Sequence, residues 1–292
     1  MRRVYLDNAA TTNMRPDASL VMAGTASGTY GNPSSVMYEE GYNAHKSLTR
    51  ARDGIEKILG VGDTGHVYFT AGGTESDNWA IKGVAWANKD RGNHIITSKI
   101  EHHAVLRSCE FLEKCGFDIT YLDVDSDGVV DPQDVASAIT DKTILVSIMM
   151  ANNEIGTIEP IEEISKIAHD CNVLMHTDAV QAVGHMSVNI KEIGVDLLSF
   201  SAHKFHGPKG VGGLYIRNGV GIEPLLHGGS QEGNMRASTV NLPGIVGMAY
   251  ALEVGNEHLD SQIESMKEIR QNFLHQILSI YPNAKLIGHP SL

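Results

Sequence analysis

Short apolar runs alternate with amphipathic stretches along most of this chain. Runs with strand character span residues 66–70, 94–98, 118–122, 143–149, 173–177, 195–200 and 212–216. Between them, 76–89, 103–115, 132–139 and 160–171 place apolar residues at helical spacing, and 243–257 and 262–280 read as two further helices. Seven strands interleaved with helices predict βαβ units. The expected architecture is a three-layer α/β/α domain with a mostly parallel seven-stranded sheet. In such sheets ligands bind beyond the carboxyl ends of the strands, so residues just after each run are the first candidates for chemistry. No internal repeat or low-complexity segment interrupts the pattern. The final run, Tyr281 to Ile287, reads as the start of a strand with nothing after it, and a truncated C-terminal domain is therefore expected.

Composition narrows the class. A chain of 292 residues that is 42% hydrophobic can bury a large core, as one large domain or two smaller ones. The net charge of −12 disfavours nonspecific binding to nucleic acid or to an anionic membrane surface. No apolar run is long enough to cross a bilayer, and Met1 to Asp7 lack the apolar region of a signal peptide, so a cytoplasmic soluble protein is expected. Three cysteines, Cys109, Cys115 and Cys171, make neither a disulfide framework nor a zinc cluster. Cys109 and Cys115 read as apolar fillers around a helix end.

The candidate chemistry centres on Ser201-Ala202-His203-Lys204-Phe205-His206-Gly207-Pro208-Lys209-Gly210. Lys204 directly follows a buried strand, where an ammonium is costly unless it is paired or its charge removed. A covalent imine with an aldehyde cofactor removes it, and pyridoxal phosphate (PLP) is the common cofactor of that kind. A surface lysine in a Gly-Pro loop is the competing reading. In Thr70-Ala71-Gly72-Gly73-Thr74-Glu75, small residues open a helix after a strand, which suits a phosphate at the free N–H groups; a plain capped turn also fits. Asp178, in His176-Thr177-Asp178-Ala179-Val180-Gln181, ends another strand, where its carboxylate would meet a protonated pyridine nitrogen or cap the next helix. Gln181 is close enough in sequence to reach the phenolic oxygen of such a ring. His102 and His103 open a helix after the second strand; an imidazole there could stack on a flat ring, move protons, or bind metal, although the zinc-type spacing is missing. Asn152-Asn153-Glu154 sits beyond the fourth strand, where its amides face the same end of the sheet.

These blocks resemble the cysteine desulfurases, the NifS-like group of the class V aminotransferase superfamily of fold type I PLP enzymes. The resemblance runs in order through Tyr5-Leu6-Asp7-Asn8-Ala9-Ala10-Thr11-Thr12, Gly31-Asn32-Pro33-Ser34-Ser35, Gly73-Thr74-Glu75-Ser76-Asp77-Asn78, Glu101-His102-His103-Ala104-Val105, Asn152-Asn153-Glu154-Ile155-Gly156, Asp178-Ala179-Val180-Gln181 and Ser201-Ala202-His203-Lys204. Asn153-Glu154-Ile155-Gly156 is more similar to the NifS/IscS-type branch than to the SufS-type branch. The resemblance implies PLP on Lys204, which would also move protons at the substrate. It implies Asp178 at the pyridinium nitrogen, His102 stacked on the ring, Gln181 at the phenolic oxygen, and Asn153 orienting cofactor and substrate. Gly73, Thr74, Ser201 and His203 would hold the phosphate. Thr239 would reach the phosphate of a neighbouring subunit in a homodimer. The implied reaction takes sulfur from L-cysteine as a persulfide, leaves L-alanine, and passes sulfur to an acceptor or iron–sulfur scaffold protein. No metal is implied.

By the same resemblance, residues 1–258 form the PLP-binding large domain, with 1–15 contributing to the small domain and the site entrance, and 259–292 a connector helix and the start of a truncated small domain. The family's sulfur-accepting cysteine and its substrate-carboxylate arginine are expected beyond Leu292, and none of the three cysteines stands in their place. Ser238 stands where the family usually has glycine, so a different backbone is expected there. Val36-Met37-Tyr38 stands where a histidine is usual, so altered packing near the entrance is expected. Other readings are a selenocysteine lyase or aminotransferase on the same site, or a catalytically incomplete PLP-binding homologue.

Overall fold

A computed structural model describes residues 3–290. In chain order it contains α1 (Pro16–Gly28), α2 (Glu39–Ile58), β1 (Gly65–Thr70), α3 (Gly73–Asn88), β2 (His94–Ser98), α4 (His103–Glu113), β3 (Asp118–Leu122), α5 (Pro132–Ala138), β4 (Thr143–Ser147), α6 (Ile161–Asp170), β5 (Leu174–Asp178), α7 (Ile190–Ile193), β6 (Leu197–Ser201), β7 (Gly212–Arg217), α8 (Leu242–Glu257) and α9 (Leu259–Ile280). The strands form one sheet in the order β1-β7-β6-β5-β4-β2-β3. Strand β7 runs antiparallel to β1 and β6, and every other pairing is parallel. The expected seven-stranded, mostly parallel sheet is what forms.

Period-two alternation along the strands divides the core. Ile95, Leu145, Leu197 and Leu214 point to one face and pack with Trp79, Val84, Val105 and Leu112 of α3 and α4. Their neighbours Ile96, Val146, Leu198 and Tyr215 point to the other, against Ile55 of α2, Ile164 of α6 and Met248 of α8. A sheet apolar on both faces needs helices on both, which gives the three layers.

Connections follow local chemistry. Asp131 caps α5 by accepting from the Gln133 N–H at 2.8 Å, and Pro132 occupies the first turn. The chain leaves β2 toward β3 on one side and β4 toward β5 on the other. The carboxyl ends of β2 and β4 therefore flank the crevice where strand order reverses, the place an open α/β sheet offers a ligand.

Three differences separate the structure from the sequence reading. Helices α1 and α2 had no assigned element, although Ala44, Leu48, Ala51 and Ile55 of α2 are buried at helical spacing. Among the described residues, the run after Tyr281 pairs with no strand and forms turns. Ser238 does not relax to an ordinary conformation: it sits at φ +94°, in the region that favours glycine. At the entrance, Val36 and Met37 are exposed and pack against little.

Trp79 anchors one face of the sheet. It is fully buried, its indole N–H donates to the Glu223 carbonyl at 3.0 Å, and its ring meets Tyr68 edge-on. Trp79→Ala is expected to cost about 3–5 kcal/mol, read from urea unfolding followed by far-UV circular dichroism; an unchanged midpoint would contradict this packing.

Candidate active site

A cavity of about 1030 Å³ opens at the carboxyl ends of β1, β2, β4, β5 and β6. Nine of the ten residues predicted for the site line it: Gly73, Thr74, His102, Asn153, Asp178, Gln181, Ser201, His203 and Lys204. Thr239, expected to serve a neighbouring subunit, is exposed and lies outside this cavity.

The floor beside β1 is backbone. Gly72 has φ +148° and ψ 179°, a conformation essentially restricted to glycine. A Cβ on Gly73 would meet Cγ2 of Val180 at 2.6 Å. The turn thus leaves a recess at the N-terminus of α3, a 16-residue helix whose first N–H groups lack helical partners. Glu75 braces the turn: it accepts from the Ala71 N–H at 2.8 Å and pairs with the Arg236 guanidinium at 2.8 and 3.1 Å.

His102 follows β2. Its Nδ1 accepts from the Ala104 N–H at 3.1 Å, so the ring both caps α4 and stands fixed at the cavity wall. Of the histidine pair only His102 lines the cavity. Beyond β4, Asn152 is structural: its Oδ1 accepts from the Glu154 and Ile155 N–H groups and its amide donates to the Ile100 carbonyl at 2.9 Å. Asn153, the predicted residue, is the one that reaches the cavity.

Asp178 ends β5, is buried, and accepts from the Val180 N–H at 2.9 Å. Burial raises its pKa, while that N–H and the nearby His102 and Lys204 oppose the rise. Lys204 faces the same space. Desolvation lowers its pKa, partly offset by Asp178, Asp7 and Glu154. Its Nζ donates to the carbonyls of Ala9 and Ala10, the latter at 3.1 Å. Gln181 is engaged similarly, donating to the Ala9 carbonyl at 2.9 Å. His203 Nδ1 lies 3.1 Å from the Thr11 hydroxyl, and burial followed by Lys204 and Lys209 lowers its pKa. Thr12 donates to the His203 carbonyl through both N–H and hydroxyl, each at 2.9 Å, which ties the N-terminal segment to the lysine turn.

Sequence reasoning gave no role to Asp77. It lies one helical turn after Gly73, which places it on the cavity face of α3, and a charge beside Trp79-Ala80-Ile81 was the available signal. Glu101 was likewise passed over. It is buried, its Oε1 accepts from the Ser98 hydroxyl at 2.7 Å and the Met149 N–H at 2.9 Å, and burial raises its pKa to about 8. The cysteines are not at the site: Cys109 is buried in α4 with its thiol pushed up to about 12, and none of the three lines the cavity.

An amine on a desolvated lysine, a buried carboxylate and a glycine-formed recess at a helix start all open into one space. They fit an aldehyde-bearing aromatic phosphate, and with this fold they define a PLP-binding α/β enzyme. Residues 4–291 match the family described as aminotransferase class-V, whose members depend on PLP, and the chain belongs to that family. It is 55% identical over 276 residues to cysteine desulfurase IscS of Dictyoglomus turgidum, covering 94% of this chain and 70% of that protein. Among solved structures, a NifS-like protein superposes with a TM-score of 0.92 at 42% identity, covering 96% of this chain and 77% of the other. SspA in complex with cysteine gives a TM-score of 0.82 at 39% identity, with 86% and 72% covered.

Glu101, buried behind the cavity wall between Ser98 and Met149, sets a pH test. Its folded pKa of about 8 lies above its ordinary value of 4.5, so the folded state keeps a proton that the unfolded chain releases. Its contribution to stability is fully present below about 4.5 and is lost as pH rises through about 8. Glu101→Gln is expected to give a shallower fall of the urea midpoint between those pH values than the unsubstituted chain. Superimposable slopes would contradict it.

Proposed function

We propose that this chain is a PLP-dependent cysteine desulfurase: L-cysteine and a thiol are converted to L-alanine and a persulfide. The observation that carries the reading is the convergence of Lys204, Asp178 and the Gly72–Thr74 turn on one cavity. Support comes from the desulfurase relative and from the cysteine-bound structural neighbour. When bound, PLP supplies an aldehyde that condenses with amines and a cationic ring that withdraws electrons from the substrate α-carbon.

The protein's residues divide the remaining work. Desolvation lowers the Lys204 pKa and enlarges its neutral, nucleophilic fraction, and the same amine carries protons at the substrate. Asp178 would hold the ring nitrogen and keep its proton. His102, held by its cap to Ala104, would lie against the ring and assist proton transfer. Gln181 would bind the phenolic oxygen, and Asn153 would orient cofactor and substrate. Gly73, Thr74, Ser201 and His203 hold the phosphate. Thr239 serves the phosphate site of a second copy, which makes the working unit a homodimer.

A thiol other than Cys109, Cys115 and Cys171 accepts the sulfur, since none of these lines the cavity. From there sulfur passes to an acceptor or iron–sulfur scaffold protein. Residues 1–258 act as the cofactor-binding unit, with 259–292 as connector; only Leu259 of α9 is buried. No described helix is long and apolar enough to cross a membrane, and the net charge of −12 repels anionic surfaces. We place the activity in the cytoplasm.

With PLP, L-cysteine and dithiothreitol, the chain is expected to form alanine and sulfide in equal amounts, the dithiol supplying the two electrons. Amino transfer to a keto acid without sulfide would instead identify an aminotransferase, and PLP binding without turnover a catalytically incomplete homologue. Lys204→Ala is expected to abolish the borohydride-fixable link to PLP and to lower turnover by roughly 10²–10⁴-fold or more. Asp178→Ala should weaken cofactor retention and turnover together, and unchanged turnover in that variant would remove Asp178 from the site.

A further inference from the structure

A second carboxyl lies beside Asp178, and the chemistry above does not use it. Asp77 is 1% exposed yet lines the cavity. Its Oδ1 makes no hydrogen bond among the described residues. The His176 Nε2 stands 3.7 Å from that oxygen, beyond hydrogen-bond reach. One oxygen of Asp77, one of Asp178 and one ring nitrogen of His102 all lie within 4.8 Å of one another.

The elements packed around Asp77 bring it several polar groups, while the cavity's Lys204, in the turn after β6, acts on Asp178. Strand β5 presents Asp178 and His176, the segment after β2 presents Glu101 and His102, and β6 presents the Ser199 hydroxyl. No lysine or arginine forms an ion pair with Asp77 among the described residues. His176 is no counter-charge. It is fully buried between the hydroxyls of Ser147 at 2.8 Å and Ser199 at 3.0 Å, and burial lowers its pKa to about 3. Two carboxylates buried this close do not both ionise cheaply, and one pyridinium compensates one negative charge.

We propose that Asp77 is a positioning residue that stays un-ionised in the PLP-loaded protein, leaving Asp178 as the single anion at the ring nitrogen. The inference rests on the PLP reading of the cavity. Burial first, and then the Asp178 charge, push the Asp77 carboxyl upward, in keeping with this geometry. An un-ionised Asp77 keeps a polar donor within 4.8 Å of the Asp178 carboxylate without adding a second charge. The arrangement resembles other carboxyl pairs in which neighbouring acids take different protonation states.

The test compares the unsubstituted chain with Asp77→Asn and Asp77→Leu after loading with PLP. Asparagine keeps the shape and neutrality of the protonated acid, so Asp77→Asn is expected to retain PLP within about twofold and to leave the pH titration of the visible band in place. Asp77→Leu removes the donor and should weaken PLP binding about tenfold. The infrared spectrum keeps the test open if the leucine variant fails to fold. At neutral pH the unsubstituted chain should show an acid carbonyl stretch, above the amide bands, that is missing in Asp77→Asn. Glu101 and Glu159, with pKa values raised to about 8 and about 7, contribute to both spectra alike. A large loss of PLP in Asp77→Asn, retention in Asp77→Leu equal to the unsubstituted chain, or no difference in the acid stretch would overturn the inference alone. An unsubstituted chain that binds no PLP would overturn the reading of the cavity together with it.

Discussion

A buried carboxylate and a half-buried amine at one end of a sheet each carry a desolvation cost. Asp178 ends β5 and Lys204 sits in the turn just after the adjacent parallel strand β6, and desolvation acts against the charged form of each. On the proposed reading, a ligand carrying a protonatable ring nitrogen and an aldehyde relieves both at once. The sheet places them, the helices exclude water from behind, and the cavity between them takes its shape from that need.

The order of strands explains why so many functional groups meet. Strands β1, β2, β4, β5 and β6 point their carboxyl ends the same way, so five separate turns deliver residues to one space. Residues 7–12 then cross the mouth and tie themselves to the lysine turn through Thr12 and His203. Their Ala9 and Ala10 carbonyls hold the donors of Lys204 and Gln181. These contacts satisfy polar groups that would otherwise be left bare at the cavity wall.

Much of this was legible in the residues because strand burial leaves a strong signature. The runs 94–98 and 118–122 match β2 and β3 end to end, since β-branched and aromatic residues there are bounded by turn residues. Nine of the ten residues singled out line one cavity because each falls at the end of a strand or in the turn or helix start that follows it. Helix α2 escaped notice because two of its buried positions are alanines, which carry little hydrophobic signal. Asp77 was hidden inside a helix rather than at a strand end, and its importance depends on the proximity of Asp178, about a hundred residues away. The strain at Ser238 is a backbone property that no side-chain pattern reveals.

The central claim is that Lys204 is the covalent anchor of the cofactor. Loading the full chain with PLP, reducing with borohydride, and mapping the labelled peptide by mass spectrometry reads this directly, without turnover. The account predicts a phosphopyridoxyl group on Lys204 and on no other lysine. A label carried by a different lysine, or no label on folded protein saturated with PLP, would contradict it.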